Sequence, residues 1–484
     1  MRAALPLAVL WLALAPPARA AESLQQRVEA RLAEAATGTR FGLVVAVEDG
    51  RELIAIAPDA RFIPASNTKM FTTAAAFATL PGIDQPDATG GAAVRLEKGR
   101  GRSPDVILTG NGDARLSSAA DCTVDCLSML ADAVAAKASR VNDVVGDDTL
   151  FPDQRWSPGM SWNNISSSDG TGISALTIDD NRIALRVVPA TAGAAPGIEL
   201  DTPYYTVINQ AVTVAGGKTD LNVDRLPFDR TLRLIGTIAA DAAPEVIGLG
   251  IDDPAHYAAW RLKALLEARG VKVGGGVRAV HRAVAFTDDP EKRGDLPPMR
   301  PAPPVVLARL TPPPITQDLT TINKVSQNLH AELTLRRVGL VRGTGSIEDG
   351  QRAVQTMLAS AGVPRTGFDF SDGSGMSSYN RVAPRSAVRF LRWIAAQPWG
   401  AAWRATLPIA GYDGTLKNRF KGSTLQGRLF AKTGTLNATR ALSGYMIAKS
   451  GRTLTFSMFA NDEPSGTSAR EAMDAALEMV ANEN

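Results

Sequence analysis

Three short groups of residues in this 484-residue chain have the types and spacing to make and break an acyl bond. The first is Ser66-Asn67-Thr68-Lys69. On a helix, residues three apart share a face, so a lysine one turn deeper can reach the serine hydroxyl. A serine in a first helical turn also sits among free backbone N–H groups and the positive end of the helix dipole. The hydroxyl is a poor nucleophile until a base takes its proton, and a lysine serves as that base once burial or a neighbouring cation lowers its pKa. The second group is Ser326-Gln327-Asn328, a further hydroxyl for proton relay and an amide to orient a carbonyl or the lysine. The third is Lys432-Thr433-Gly434-Thr435: a cation and a hydroxyl for a carboxylate, and a glycine that lets a substrate backbone approach a strand. The backbone N–H groups of Ser66 and Thr435 could together polarise a scissile carbonyl. Each group alone is commonly a helix cap, a loop or a strand end; their joint presence is the informative fact.

These residues need elements to hold them. Ser66 to Phe77 is Ala-rich and free of Gly and Pro, which predicts a helix. Phe41 to Val47 and Glu52 to Ala57 read as strands around an Asp49-Gly50 turn. Near the other end, Gly427 to Thr433, Arg440 to Ala448 and Thr453 to Ala460 read as three more, followed by an amphipathic helix over Ala469 to Ala481. Two strands at the start and three at the end predict one antiparallel sheet built from both ends of the chain, with helices on its faces. Between them, about 81 to 300 holds short β-type runs at Asp105 to Leu108, Ile183 to Val188, Tyr205 to Val214 and Thr231 to Ile238. Ala255 to Ala268 is the one strong helix expected there, and Pro297 to Pro314 reads as a stiff re-entry linker.

The order Ser-x-x-Lys, Ser-x-Asn, Lys-Thr-Gly is shared by β-lactamases and penicillin-binding proteins. Pro64 to Lys69, Ser174 to Asn181, Asp372-Gly373-Ser374-Gly375-Met376-Ser377 and Ala431 to Thr435 narrow it: the chain resembles the low-molecular-mass class C penicillin-binding proteins. These are D-alanyl-D-alanine carboxypeptidases and endopeptidases. The resemblance implies an α/β (α+β) fold: a penicillin-binding-protein/β-lactamase-like domain, with a five-stranded antiparallel sheet flanked by helices and two inserted β-rich domains, one nested in the other. The expected division is 21–80 and 301–484 for the catalytic domain, 81–180 and 248–300 for the first insert, and 181–247 for the nested one. It further implies Ser66 as nucleophile, Lys69 as general base, Ser326 and Asn328 in proton transfer and positioning, and Lys432 with Thr433 on a terminal carboxylate. Peptidoglycan stem peptides are the implied substrate, β-lactams the implied inhibitors, and no cofactor is called for. One departure bears on specificity. The family's arginine after Asp-Gly-Ser, and its acid near a tryptophan, hold the free amino-acid end of a diaminopimelate side chain. Here those positions are Ser378 and Asn164, beside Trp162, with Arg381 nearby as a possible substitute.

Competing functions find less support. A β-lactamase shares the acylation chemistry, but no Glu-x-x-Leu-Asn run supplies a deacylating glutamate, and 260 residues separate Ser66 from Ser326. A catalytically idle wall-binding protein of the same fold is argued against by the intact motifs. No Gly-x-Ser-x-Gly elbow occurs, and Gly216-Gly217-Lys218-Thr219 and Gly110-Asn111-Gly112 complete no phosphate or dinucleotide fingerprint. His330, two residues past Asn328, is expected to pack or face the surface. Arg2, an apolar run to Ala15 and Ala18-Arg19-Ala20 read as a signal peptide over residues 1–20, implying export to the periplasm with no stable membrane anchor. Its removal takes the net charge from +3 to about +1, which disfavours a nucleic-acid partner. Cys122 and Cys126 are expected to pair in an oxidising compartment, and three scattered histidines give no metal-like spacing.

Overall fold

The computed structural model describes residues 22–99, 101–300 and 302–484; the expected signal peptide lies outside the described residues. Both ends of the chain meet in one sheet. The first part supplies α1 (Leu24–Leu32), β1 (Arg40–Ala46), β2 (Glu52–Ile56) and α2 (Thr68–Thr79). The last part supplies α3 (Ile315–Lys324), α4 (Asn328–Arg342), α5 (Ile347–Ser360), α6 (Pro384–Ala395), β3 (Leu429–Leu436), β4 (Thr439–Ile447), β5 (Thr453–Asn461) and α7 (Arg470–Glu483). The strand order is β3-β4-β5-β1-β2, antiparallel throughout, with Phe41 opposite Ala460 and Val45 opposite Phe456.

Alternation along the strands explains the two cores. Phe456 and Met458 of β5 join Leu43 and Val45 and meet α1 and α7 through Val28, Leu477 and Val480. Phe459, one residue on, faces the other way and packs with Phe62, Phe71 and Phe390 around α2 and α6. Each of these aromatic and aliphatic side chains, fully buried, contributes about 1.5–3 kcal/mol. Helix α2 runs through the second core and stops at Leu80, because Pro81 disfavours helical backbone in the residue before it. Its Ala74, Ala75 and Ala76 are wholly buried. Thr73 Oγ1 donates back to the Lys69 carbonyl (2.8 Å) and accepts from Trp403 Nε1 (3.0 Å) and Asn323 Nδ2 (3.2 Å), pinning the turn below the serine.

The middle of the chain has its own sheets. Ala93–Glu97, Asp105–Thr109, Val144–Pro152, Val277–Arg282 and Ala308–Arg309 form a mixed five-stranded sheet. Asp105–Thr109 and Val144–Pro152 run parallel, as do Val144–Pro152 and Val277–Arg282. A parallel pair needs a crossover, here the helices Leu127–Ala135 and Pro254–Ala268. The first of these corrects the expectation of a single strong helix. Tyr205 to Val214, expected as one strand, is two: Thr206–Asn209 and Val212–Val214. Both lie beside Thr231–Ala239, with Asp220–Asp224 on its other flank. Glu245–Gly250, Arg182–Val188 and Gly197–Leu200 make a further three-stranded sheet. The expected stiff linker contributes Ala308–Arg309 as an edge strand against Ala93–Val94. Cys122 and Cys126 are bonded.

The middle region grips α3 and α4. Arg115 pairs with Asp318 (2.6 Å), Arg337 with Asp87 (2.5 Å), and Arg336 Nη2 donates to the Gln154 carbonyl (3.1 Å). His330 is buried rather than at the surface, held by Asp180 (2.9 Å) and Asp318 (3.2 Å).

Candidate active site

Ser66 sits in a single 3₁₀ turn, Ala65–Asn67, leading directly into α2. Ala65 has φ +48°, a left-handed conformation costly for alanine, so the turn is held there by its surroundings. Two contacts do the holding. Asn67 Nδ2 donates to the Lys432 carbonyl (2.8 Å), tying the turn to the edge strand β3. Gly375, at φ +91°, lies so close that a Cβ there would stand 2.0 Å from the Ala65 carbonyl oxygen.

Lys69 reaches back one turn. Its Nζ donates to Ser66 Oγ (2.9 Å), Asn328 Oδ1 (2.6 Å) and the Ser374 carbonyl (2.5 Å). Three donors meet three acceptors when the amine is charged. When it is neutral, two hydrogens serve Asn328 and Ser374, and the lone pair faces the serine hydroxyl. Burial brings the ammonium down to about 8, against the pull of Asp372, Glu332 and Asp169.

Asn328 is the first residue of α4, and Ser326, at φ +66°, makes the sharp corner between α3 and α4. The amide of Asn328 is oriented from behind, its Nδ2 donating to the Asp169 carbonyl (3.0 Å). Ser326 Oγ accepts from Lys432 Nζ (2.9 Å), which also donates to the Thr433 carbonyl (3.0 Å). Lys432 is fully buried, and its pKa falls well below the ordinary value through burial and through the charge of Lys69. Thr433 Oγ1 donates to Thr415 Oγ1 (2.7 Å), and Thr435 is exposed at the strand edge. Gly434 corrects an expectation. Its missing side chain makes room for the Pro64 carbonyl, 2.6 Å from where a Cβ would be, and not for substrate.

The structure therefore brings Ser66, Lys69, Ser326, Asn328, Lys432, Thr433 and Thr435 to one place. It does not join Trp162, Asn164 or Arg381 to them by any hydrogen bond among the described residues. Trp162 and Asn164 lie in a 3₁₀ turn, Trp162 being 62% exposed. Arg381 Nη1 donates to the carbonyls of Ser378 (2.6 Å) and Asn380 (2.8 Å) in its own loop. The two regions do meet: Ser378 N and Oγ both donate to the Gly159 carbonyl (2.9 Å each), and Ser377 Oγ to that of Pro158 (2.6 Å).

Sequence reasoning gave no role to the turn that supplies the third acceptor. Asp372 Oδ1 accepts from Gly375 N (2.9 Å) and Asn380 Nδ2 (2.6 Å), while its Oδ2 accepts from Ser377 N (2.6 Å). Glu332 Oε1 accepts from Gly373 N and Ser374 N (2.9 Å each). Burial and the Glu332 charge raise Asp372 to about 6. Glu332 was findable, since it stands four residues after Asn328 on the same helical face.

The family model described as D-Ala-D-Ala carboxypeptidase 3 (S13) matches residues 24–480. A D-alanyl-D-alanine carboxypeptidase of Actinomadura sp. (strain R39) is 32% identical, covering 99% of this chain and 89% of that protein. The D-alanyl-D-alanine carboxypeptidase DacB of Haemophilus influenzae is 25% identical over 89% of this chain and 87% of its own. In fold, the chain is similar to the crystal structure of penicillin binding protein 4 (dacB) from H. influenzae. The TM-score is 0.78 at 22% identity, covering 94% of this chain and 98% of that one.

Proposed function

The chain belongs to the D-Ala-D-Ala carboxypeptidase 3 (S13) family, and from that premise we propose how its site works. It is a serine DD-peptidase. Neutral Lys69 takes the Ser66 proton as Oγ attacks the carbonyl of the penultimate D-alanine. The N–H groups of Ser66 and Thr435 receive the developing oxyanion. The C–N bond breaks, the proton passes from Lys69 by way of Ser326 and Lys432 to the departing amine, and an ester on Ser66 remains. Water then attacks that ester, restores the hydroxyl and releases the shortened peptide. Asn328 holds Lys69 on one side and the acyl-side amide on the other. Lys432 with Thr433 and Thr435 receives the carboxylate of the departing residue.

The observation that carries this reading is Lys69 Nζ, buried, with depressed basicity, 2.9 Å from Ser66 Oγ. β-Lactams enter by the same attack and form a long-lived ester. The enzyme works in the periplasm on peptidoglycan stem peptides, and no described helix is long and apolar enough to cross a membrane. The test uses a fluorescent penicillin and a peptide ending in D-Ala-D-Ala. Wild type is labelled and releases D-alanine, Ser66→Ala does neither, and Lys69→Ala acylates at least about a thousandfold more slowly. An adduct mapped by mass spectrometry to another serine would overturn the assignment.

A further inference from the structure

A cleft of about 390 Å³ opens on the far side of β3 from α2, and Thr433, Gly434 and Thr435 form its inner wall. Gly434 turns its open side to Pro64 and Ala65, the residues before Ser66, so the strand that walls the cleft on one face packs against the turn of Ser66 on the other. Thr433 and Thr435 share one strand face, and Arg440 stands opposite Thr435 on β4. The outer wall is the 414–419 segment, and the floor is the start of α7.

The lining holds four cations, Lys417, Arg419, Arg440 and Arg470, and no acidic side chain. Two of the four are compensated from outside the cleft: Arg419 is paired with Asp474, and Arg440 with Glu463 at 3.5 Å. Lys417 and Arg470 are exposed, and among the described residues neither has a carboxylate within 4.0 Å. Their positive field falls on the space just past the two threonines. That space is larger than the methyl and carboxylate of a departing alanine need, and it lies in the size range of ligand clefts.

We propose that this cleft is a leaving-side subsite that selects a departing residue carrying a carboxylate beyond the one next to the scissile bond. Such a residue is what a cross-link between two stem peptides presents, where the departing amine belongs to a second, anionic peptide. The inference rests on the peptidase reading above. The reaction is unchanged: the Ser66 Oγ–C bond forms, the C–N bond breaks, and the amine leaves with the proton Lys69 took. Only the size and charge of what leaves differ.

Three peptides with one acyl half and D-Ala, D-Gln or D-Glu as the leaving residue test it, with release followed by chromatography. D-Gln and D-Glu are nearly isosteric, so their kcat/KM ratio reads charge. The expected preference for D-Glu is about three- to tenfold at low salt. It shrinks in about 0.5 M NaCl, where exposed charges are screened. It falls to near unity in the Lys417→Gln/Arg470→Gln double variant, whose two replaced side chains are exposed and make no ion pair among the described residues. Wild type that cleaves the D-Ala peptide but handles D-Glu no better than D-Gln overturns the subsite and leaves the peptidase reading intact. So does a preference that survives high salt and the double substitution. Wild type that releases no D-alanine overturns the peptidase reading, and this inference with it.

Discussion

A lysine can accept a proton only after giving one up, so the role proposed for Lys69 makes acylation depend on pH. Burial lowers its ammonium to about 8, leaving roughly a tenth of the molecules neutral at pH 7. The reactive form is the high-pH form. The second-order rate of penicillin acylation should therefore rise about tenfold per pH unit well below that value and level off above it. Stopped-flow measurement between about pH 6 and pH 9 checks this, and a flat profile over that range would assign the proton to another group. The three motif pairs were legible in sequence because their chemistry depends on side-chain type and short spacing. The third acceptor of Lys69 was not, because it is the backbone carbonyl of Ser374. Any residue type carries a carbonyl; only the fold aims it.

At the scale of elements, the sheet was legible because strands buried on alternating faces write a period of two, and both ends of the chain showed it. The turn at 372–375 was not, since what matters there is its conformation. Gly375 has φ +91° and lies against the Ala65 carbonyl, so Gly375→Ala meets both a disfavoured backbone and a clash. Denaturant melts should show a loss of about 1–3 kcal/mol, and penicillin labelling should fall even in the folded fraction, because the turn that carries the Ser374 carbonyl shifts. A melt matching wild type with normal labelling would mean the loop absorbs the methyl freely. His330 fastens α4 to Asp318 of α3 and to Asp180. Those two carboxylates raise it to about 9 against the opposing effect of burial. A group raised on folding adds stability that is complete below its unfolded value of 6.5 and is lost as pH climbs through about 9. His330→Gln should thus lower Tm most in acid to neutral solution, with the gap closing in alkali. A gap that widens above pH 9 would contradict a charged clasp.

Across the whole molecule, the middle region closes the site from behind and builds one rim of it. The Asp169 carbonyl orients Asn328, and Gly159 accepts two hydrogen bonds from Ser378. The sequence pointed to an insertion but hid how it grips, because the grip is made of backbone carbonyls and of ion pairs whose partners are scattered across 87–337. The helix Leu127–Ala135 was also missed, being short and without an obvious cap, yet parallel strands on either side of it demand a crossover. The same junction decides side-chain selection. Holding the amino-acid end of diaminopimelate takes a cation for its carboxylate and an anion for its ammonium. Ser378 brings no charge, and its hydroxyl is already spent on Gly159. Asn164 accepts a hydrogen bond but neutralises nothing. Arg381 could replace the missing cation only with the nitrogens that its own loop leaves free, since Nη1 already donates to two carbonyls. Each absent charge-assisted contact is worth about 1.5–3 kcal/mol, or about one to two powers of ten in selectivity. On matched peptides ending in D-Ala-D-Ala, kcat/KM should therefore favour diaminopimelate over a neutral residue by well under about a hundredfold. A larger preference would defeat this unless Arg381→Ala removed it, in which case the remaining guanidinium nitrogens hold the carboxylate and the cation has moved three positions along the loop.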